Sequence, residues 1–213
     1  MEVELKYQIP DTAVIDKIWR KDVFAVYGEI DDFSQINMDA TYYDTADFRL
    51  SSADAAFRLR REDDTVVATL KWDGTQQGGL HEREELNITV NDDSVCSHPS
   101  LKIFEQSEEG RRLLELVGDE PLEEKIRMTF LRRLMRVDTG NAICEVALDT
   151  GKIITGAGEL PIRELELELY SGDIADIKKL GKKLSEKYGI VPGAESKFLR
   201  GLNLLKAGIP ENK

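Results

Sequence analysis

The chain has 213 residues and carries 29 Lys plus Arg against 41 Asp plus Glu, a formal net charge of −12. This length favours one domain able to bury a core without staples, and the acidic excess argues against a protein that coats duplex nucleic acid or an anionic membrane through bulk charge. Two histidines (His81, His98) nearly exclude a His-rich zinc site. Two distant cysteines (Cys96, Cys144) make no disulfide framework, so any metal is held mainly by oxygen and a reducing cytoplasm is the plain reading.

In chain order, the opening MEVELKYQIP alternates charged and apolar residues where a signal peptide would show basic and greasy regions, so the protein is expected to keep its own N-terminus. No apolar stretch is long enough to span a bilayer. Period-two alternation predicts strands near 2–9, 23–31, 38–43, 55–62, 65–72, 82–90, 127–137, 142–149 and 162–170. Asp73-Gly74 and Gln77-Gly78-Gly79 read as the turn of the hairpin joining 65–72 to 82–90. Helical spacing appears over 11–20 (Val14, Ile15, Ile18, Trp19) and 99–117 (Leu101, Phe104, Leu113, Leu114, Val117). Two more helices are expected over 173–188, with Asp173 as N-cap and Gly189 as terminator, and from Pro192 to about Lys206. No repeat, low-complexity tract or linker divides the chain.

The informative feature is the residue type on each strand face. Glu2, Glu4, Lys6 and Gln8 oppose Val3, Leu5, Tyr7 and Ile9; Glu164, Glu166 and Glu168 oppose Leu165, Leu167 and Leu169; Glu145 and Asp149 oppose Cys144, Val146 and Leu148. Cations alternate in the same way, with Arg58 and Arg60 between Phe57 and Leu59, and with Lys71 and Thr69 opposite Leu70 and Trp72. An ordinary sheet with one face in water explains any single strand. Segregation of acidic strands from basic ones fits better a sheet curled with its charged side inward and its apolar side under the amphipathic helices. Rows of carboxylates two residues apart repel one another and favour bound cations. An all-oxygen set suits Mg²⁺ or Mn²⁺, with substrate phosphates completing the shell and opposing Arg and Lys holding the phosphate oxygens.

Glu2-Val3-Glu4-Leu5-Lys6 is the ExExK signature of the CYTH superfamily, the triphosphate tunnel metalloenzymes. The chain resembles that family through further blocks in the family's order: TYYDTADFRL (41–50), AAFRLRRE (55–62), TLKW (69–72), GLHEREELN (79–87), ICEVALDTGKI (143–153), ELELEL (164–169) and ESKFLRGL (195–202). The resemblance implies an α+β fold, an eight-stranded antiparallel β-barrel with a charged interior covered by amphipathic helices, as one tunnel domain over 1–206 with a tail over 207–213. It implies Glu2, Glu4, Asp149, Glu166 and Glu168 as metal ligands for one or two Mg²⁺ or Mn²⁺. Lys6, Arg58, Arg60, Lys71, Arg132 and Lys197 would bind substrate, and Glu4, Lys6 and Glu168 would act in catalysis. Glu85, Glu145 and Glu164 would also line the tunnel; the plainer alternative for Glu164 is a third carboxylate at its mouth. Two registers stay open: Arg132 against Arg133, where Met135 replaces the family's aromatic, and Glu85 against Glu82 and Glu84. By pattern alone Lys197 is a solvated helix lysine, and Tyr42, Tyr43 and Asp44 fix a loop.

The implied activity is hydrolysis of a triphosphate, inorganic triphosphate first or a small organic one, with no nucleic-acid or membrane partner, in a monomer or homodimer. Two other readings stand beside it: a class IV-type adenylate cyclase, for which the HF pair before ExExK is missing, and a non-catalytic polyphosphate or nucleotide sensor. The family's frequent helical CHAD partner is not in the sequence.

Overall fold

The computed structural model describes residues 1–24, 27–29, 33–91, 94–193 and 195–208. Its elements in order are β1 (Glu2–Gln8), α1 (Thr12–Ile18), α2 (Lys21–Phe24), β2 (Gly28–Glu29), β3 (Ser34–Asp44), α3 (Arg49–Ser52), β4 (Ala56–Glu62), β5 (Thr65–Gln77) and β6 (Leu80–Val90). There follow α4 (Ser94–Ser97), a 3-10 turn (Leu101–Phe104), α5 (Glu108–Val117), β7 (Glu123–Asp138), β8 (Ala142–Thr155), β9 (Gly158–Gly172), α6 (Ile174–Tyr188), β10 (Val191–Pro192) and α7 (Lys197–Ala207).

Strands pair antiparallel in the order β1-β6-β5-β4-β3-β7-β8-β9, and β9 returns to β1 through Glu4↔Glu168 and Lys6↔Glu166. The sheet is therefore a closed eight-stranded barrel, which leaves no free edge along this circuit. β2 and β10 are short additions on β7 and β1. Among the described residues no helix is long and apolar enough to cross a membrane.

Closure follows from the alternation. Leu5 and Tyr7 of β1 with Ile9 just after it, Cys144, Val146 and Leu148 of β8, and Leu165 and Leu167 of β9 point outward into one cluster with Ile15 and Ile18 of α1 and Ile177, Leu180 and Leu184 of α6. A second outer cluster sets Phe57, Leu59, Ala68 and Leu70 against Leu101, Phe104, Leu113 and Val117. Each fully buried aliphatic or aromatic side chain here contributes about 1.5–3 kcal/mol, which is the driving force for covering the apolar outside of the barrel with helices.

The interior is divided, which the alternation did not reveal. Met38, Ala40 and Tyr42 of β3, Ile126, Met128 and Phe130 of β7, Ile153 of β8 and Ile162 of β9 form a third cluster with Leu202 and Phe198 of α7. Ile126, Met128 and Phe130 share the parity of Arg132, so this cluster lies inside the barrel. α7 thus packs across one end of the bore instead of covering its outside. Gly201 permits the approach: a Cβ there would stand 2.9 Å from Ile126 Cγ2 and 3.0 Å from Ile153 Cγ2.

Several expected elements are corrected. The segment 23–31 is not one strand: α2 ends at Phe24, which is buried edge-on to Trp19, and only Gly28–Glu29 pair with β7. Positions 25, 26, 30 and 31 lie outside the described residues. The helix expected over 99–117 is interrupted, because the Ser107 hydroxyl accepts from Gly110 N at 2.9 Å and starts α5 afresh. α7 begins at Lys197, capped by Ser196, since Pro192 is taken by β10 opposite Tyr7. Asp73-Gly74 is not the hairpin turn but a bulge where the β5–β6 register shifts between Trp72 and Thr75. The turn is Gly78-Gly79, with φ of 58° and 86°, the backbone of a two-residue hairpin loop.

Candidate active site

The inner faces of the strands bring into one bore side chains from every part of the chain. Glu2, Glu4, Lys6, Arg58, Arg60, Lys71, Arg132, Glu166, Glu168 and Lys197 all line a cavity of about 350 Å³. Arg132 faces inward and Arg133 pairs with Leu148 on the outer side, while Glu85 opposes Lys71 on the inner side and Glu84 opposes Trp72.

The deepest part is an ion cluster. Lys197 Nζ lies 2.8 Å from Asp149, 2.7 Å from Glu164 and 2.6 Å from Glu166. Arg132 donates twice to Asp149, at 2.8 and 2.6 Å, and to Glu166 at 2.6 Å. Arg200, one turn along α7 from Lys197, pairs with Glu164 at 2.8 Å and donates to Gln8 at 3.0 Å. Asp149 and Glu164 are wholly buried, so Glu164 is the floor of the site and not its mouth. Burial opposes ionisation of Glu166, yet Lys197, Lys6 and Arg132 hold it well below the usual carboxylate range. Burial likewise acts against the Lys197 ammonium, and Asp149, Glu164 and Glu166 outweigh it. Lys197, solvated by its helix pattern, is 8% exposed because α7 packs across the end of the bore.

The cationic wall stands on β4 and β5. Arg58 donates to Thr69 Oγ1 at 3.0 Å and to Tyr42 Oη at 3.4 Å, while Arg60 is ion-paired with Glu62. Burial, together with the neighbouring Arg58 and Arg132, pulls Arg60 below the usual guanidinium range, to about 10. Arg58 Nε and Arg60 Nε are buried donors with no hydrogen-bond partner. Two orphaned guanidinium N–H groups beside a cavity suit an anion with several oxygens. Lys71 pairs with Glu2 at 2.7 Å and with Glu85, and although burial disfavours the Glu85 charge, Lys71 and Arg58 hold that carboxyl down at about 2.

Between floor and wall is an acidic corner. Lys6 Nζ bridges Glu4 at 2.8 Å and Glu166 at 3.3 Å. Burial raises the Glu4 carboxyl above its ordinary range despite Lys6. Glu168 has burial and four carboxylates, Glu2, Glu4, Glu145 and Glu166, against its charge, and is pushed up to about 7. Glu145 leans toward Arg136, 3.4 Å away. Among the described residues no three His, Cys, Asp or Glu side chains converge closely enough to hold an ion unaided. Mg²⁺ commonly sits on one or two carboxylates and takes its other oxygens from water and phosphate. Glu168, crowded by Glu2, Glu4, Glu145 and Glu166, fits that pattern, and Glu2 and Glu4, each held by one lysine, stand beside it. Asp149 and Glu166, engaged by Lys197 and Arg132, fit it less well.

Sequence reasoning passed over several residues of this site. His81 lies opposite Glu4, and its Nε2 is 3.0 Å from Gly193 O just before α7. Tyr42, read as a loop residue, lines the cavity and bonds Arg58, whereas Asp44 does fix the loop by accepting from Thr45 N, Leu50 N and Ser51 N. Arg200 had a readable signal, three positions after Lys197 on one helix face.

The comparisons agree with this geometry. The CYTH domain matches residues 1–202, and the chain belongs to the CYTH family. It is 32% identical over 161 residues to an inorganic triphosphatase of Haemophilus influenzae, a match covering 76% of this chain and 44% of that protein, so the chain spans less than half of that relative's length. Among solved structures, a Hippeastrum protein described as an adenylyl cyclase candidate with a dominant triphosphatase activity superposes with a TM-score of 0.69 at 19% identity, over 100% of this chain and 98% of that one. An adenylate cyclase candidate from Bacillus halodurans gives 0.59 at 19% identity, over 94% and 96%. The tunnels of this family depend on a metal ion.

Proposed function

We propose that this chain hydrolyses a terminal phosphoanhydride bond of a triphosphate held in the bore, inorganic triphosphate in the first place, with Mg²⁺ or Mn²⁺. The observation that carries the reading is the placement of an acidic corner and a guanidinium wall with unpartnered N–H donors on opposite sides of one small cavity. The inorganic triphosphatase relative supports it. One or two ions would be held by Glu2, Glu4 and Glu168, and would neutralise phosphate oxygens and acidify water.

The chain's own groups supply the rest. Arg58, Arg60, Lys71 and Arg132 hold phosphate oxygens and stabilise the charge that spreads over the transferring phosphoryl group. Lys6 steadies the centre. Glu168, on the same corner, would orient the attacking water by accepting its hydrogen bond. The P–O bond to the leaving diphosphate breaks as the water oxygen attaches, and no nucleophilic side chain is needed. Asp149, Glu164 and Glu166 orient Lys197 and Arg132.

The test is a product panel with inorganic triphosphate, ATP, thiamine triphosphate and longer polyphosphate, each with Mg²⁺ and with Mn²⁺. Phosphate release from inorganic triphosphate is expected, and Glu4→Gln and Lys6→Ala are expected to lower kcat by about 100-fold or more while far-UV circular dichroism stays unchanged. Cyclic AMP from ATP would replace this reading by the cyclase one. Tight binding across the panel without phosphate release would point to a sensor.

A further inference from the structure

Inner-face exposure rises toward the end of the bore away from α7. It goes from 0% at Asp149 to 23% at Glu145 along β8, and from 13% at Arg132 to 34% at Arg136 along β7. Beyond Glu168, β9 reaches Tyr170, whose side chain is 64% exposed. Its position is set by an irregularity. Cys144 pairs with Leu169 and Ile143 with Ser171, leaving Tyr170 as the extra residue of a bulge. Bulges re-aim a side chain and recur next to active sites. The ring is backed by Arg136, whose Cζ lies 4.6 Å from the ring centroid, and Arg136 is held from behind by Glu145. Arg136, Glu145 and Glu168 are successive cross-strand partners, so this shelf joins the acidic corner in one row.

A ring with a guanidinium against one face and solvent around it is suited to stacking. Tyr170 stands two residues beyond Glu168 on β9, toward the more exposed end of the bore. We propose that Tyr170, backed by Arg136, is a stacking platform for a flat aromatic group attached to the triphosphate, such as a nucleobase, so that aromatic-tailed triphosphates gain affinity over what their phosphates provide. Stacking suits several rings because each offers a π-face. This rests on the reading of the bore as a triphosphate site, and adds to it the class of organic tail that is accepted.

The test compares Tyr170→Ala and Tyr170→Phe with the parent protein, using ATP and inorganic triphosphate as probes in steady-state kinetics and titration calorimetry. The ratio of KM for ATP to KM for inorganic triphosphate is expected to rise about tenfold in Tyr170→Ala and less than about twofold in Tyr170→Phe, with thermal midpoints unchanged. An unmoved ratio in Tyr170→Ala overturns the platform, as does an equal loss on both probes. Turnover of inorganic triphosphate with no binding of ATP overturns the platform alone and leaves the hydrolase reading standing. Tyr170-dependent binding of ATP without hydrolysis of any triphosphate does the reverse.

Discussion

Glu168→Gln should abolish most turnover and yet make the metal-free protein more stable above pH 7. The Glu168 carboxyl is pushed up to about 7, first by burial and then by Glu2, Glu4, Glu145 and Glu166. A carboxyl whose native pKa is raised binds its proton more tightly folded than unfolded. Its contribution to stability is complete below the unfolded value near 4.5 and disappears as pH rises through about 7. At pH 8 the native state therefore holds an ionised group that it disfavours, at a cost of about 1–3 kcal/mol once partial solvent access is allowed for. The amide removes that cost. The thermal midpoint of the variant should exceed the parent's by about 3–6 °C at pH 8 and by no more than about 1 °C at pH 5, while kcat falls about 100-fold or more through loss of a carboxylate that holds the ion and the attacking water. Added Mn²⁺ at pH 8 should narrow the difference by stabilising the parent more. Differential scanning calorimetry at the two pH values decides it: a shift of equal size at both would mean that the carboxylate is not under repulsion.

Lys197→Met should have the opposite character, a large loss of stability that acid relieves. Lys197 is the shared partner of Asp149, Glu164 and Glu166, the first two with no solvent contact. Removing one partner of a buried ionic cluster leaves charge uncompensated and costs about 3–5 kcal/mol. For a domain of this size that is a fall of about 8–15 °C in thermal midpoint at pH 7. Without the ammonium the carboxylates take up protons more readily in the folded state, so the deficit should shrink as pH is lowered toward 5. Adding Glu164→Gln to Lys197→Met should recover part of the loss at pH 7, since one of the stranded charges is then gone. A fall of less than about 2 °C for the single variant would contradict the central place given to this lysine.

Much of the barrel was legible because period two is a strong signal when charge itself alternates. Glu2, Glu4 and Lys6, Arg58 and Arg60, and Glu164, Glu166 and Glu168 each announce a polar face that a curled sheet turns inward. The apolar half of the bore was not legible: Ile126, Met128 and Phe130 alternate as any outward-facing strand would, and only the long-range arrival of Leu202 and Phe198 shows them to be inside. The same arrival decides the state of Asp149 and Glu164, identical to the other acidic residues in sequence but neutralised in space by Lys197 and Arg200. The bulge at Asp73-Gly74 and the restart of α5 at Ser107 are local events in which two turn signals, or two caps, compete over a few residues. Tyr170 was hidden for a related reason, since strict alternation would have continued past Glu168 without the bulge.

In the proposed function, the acidic corner and the guanidinium wall grip one metal-bound triphosphate between them. Anomalous diffraction from crystals grown with Mn²⁺ and inorganic triphosphate tests it most directly. Manganese peaks are expected beside Glu2, Glu4 and Glu168, with phosphate density against Arg58, Arg60 and Arg132 in the same bore. Manganese or phosphate bound only on the outer surface, with the bore taking up neither, would contradict it.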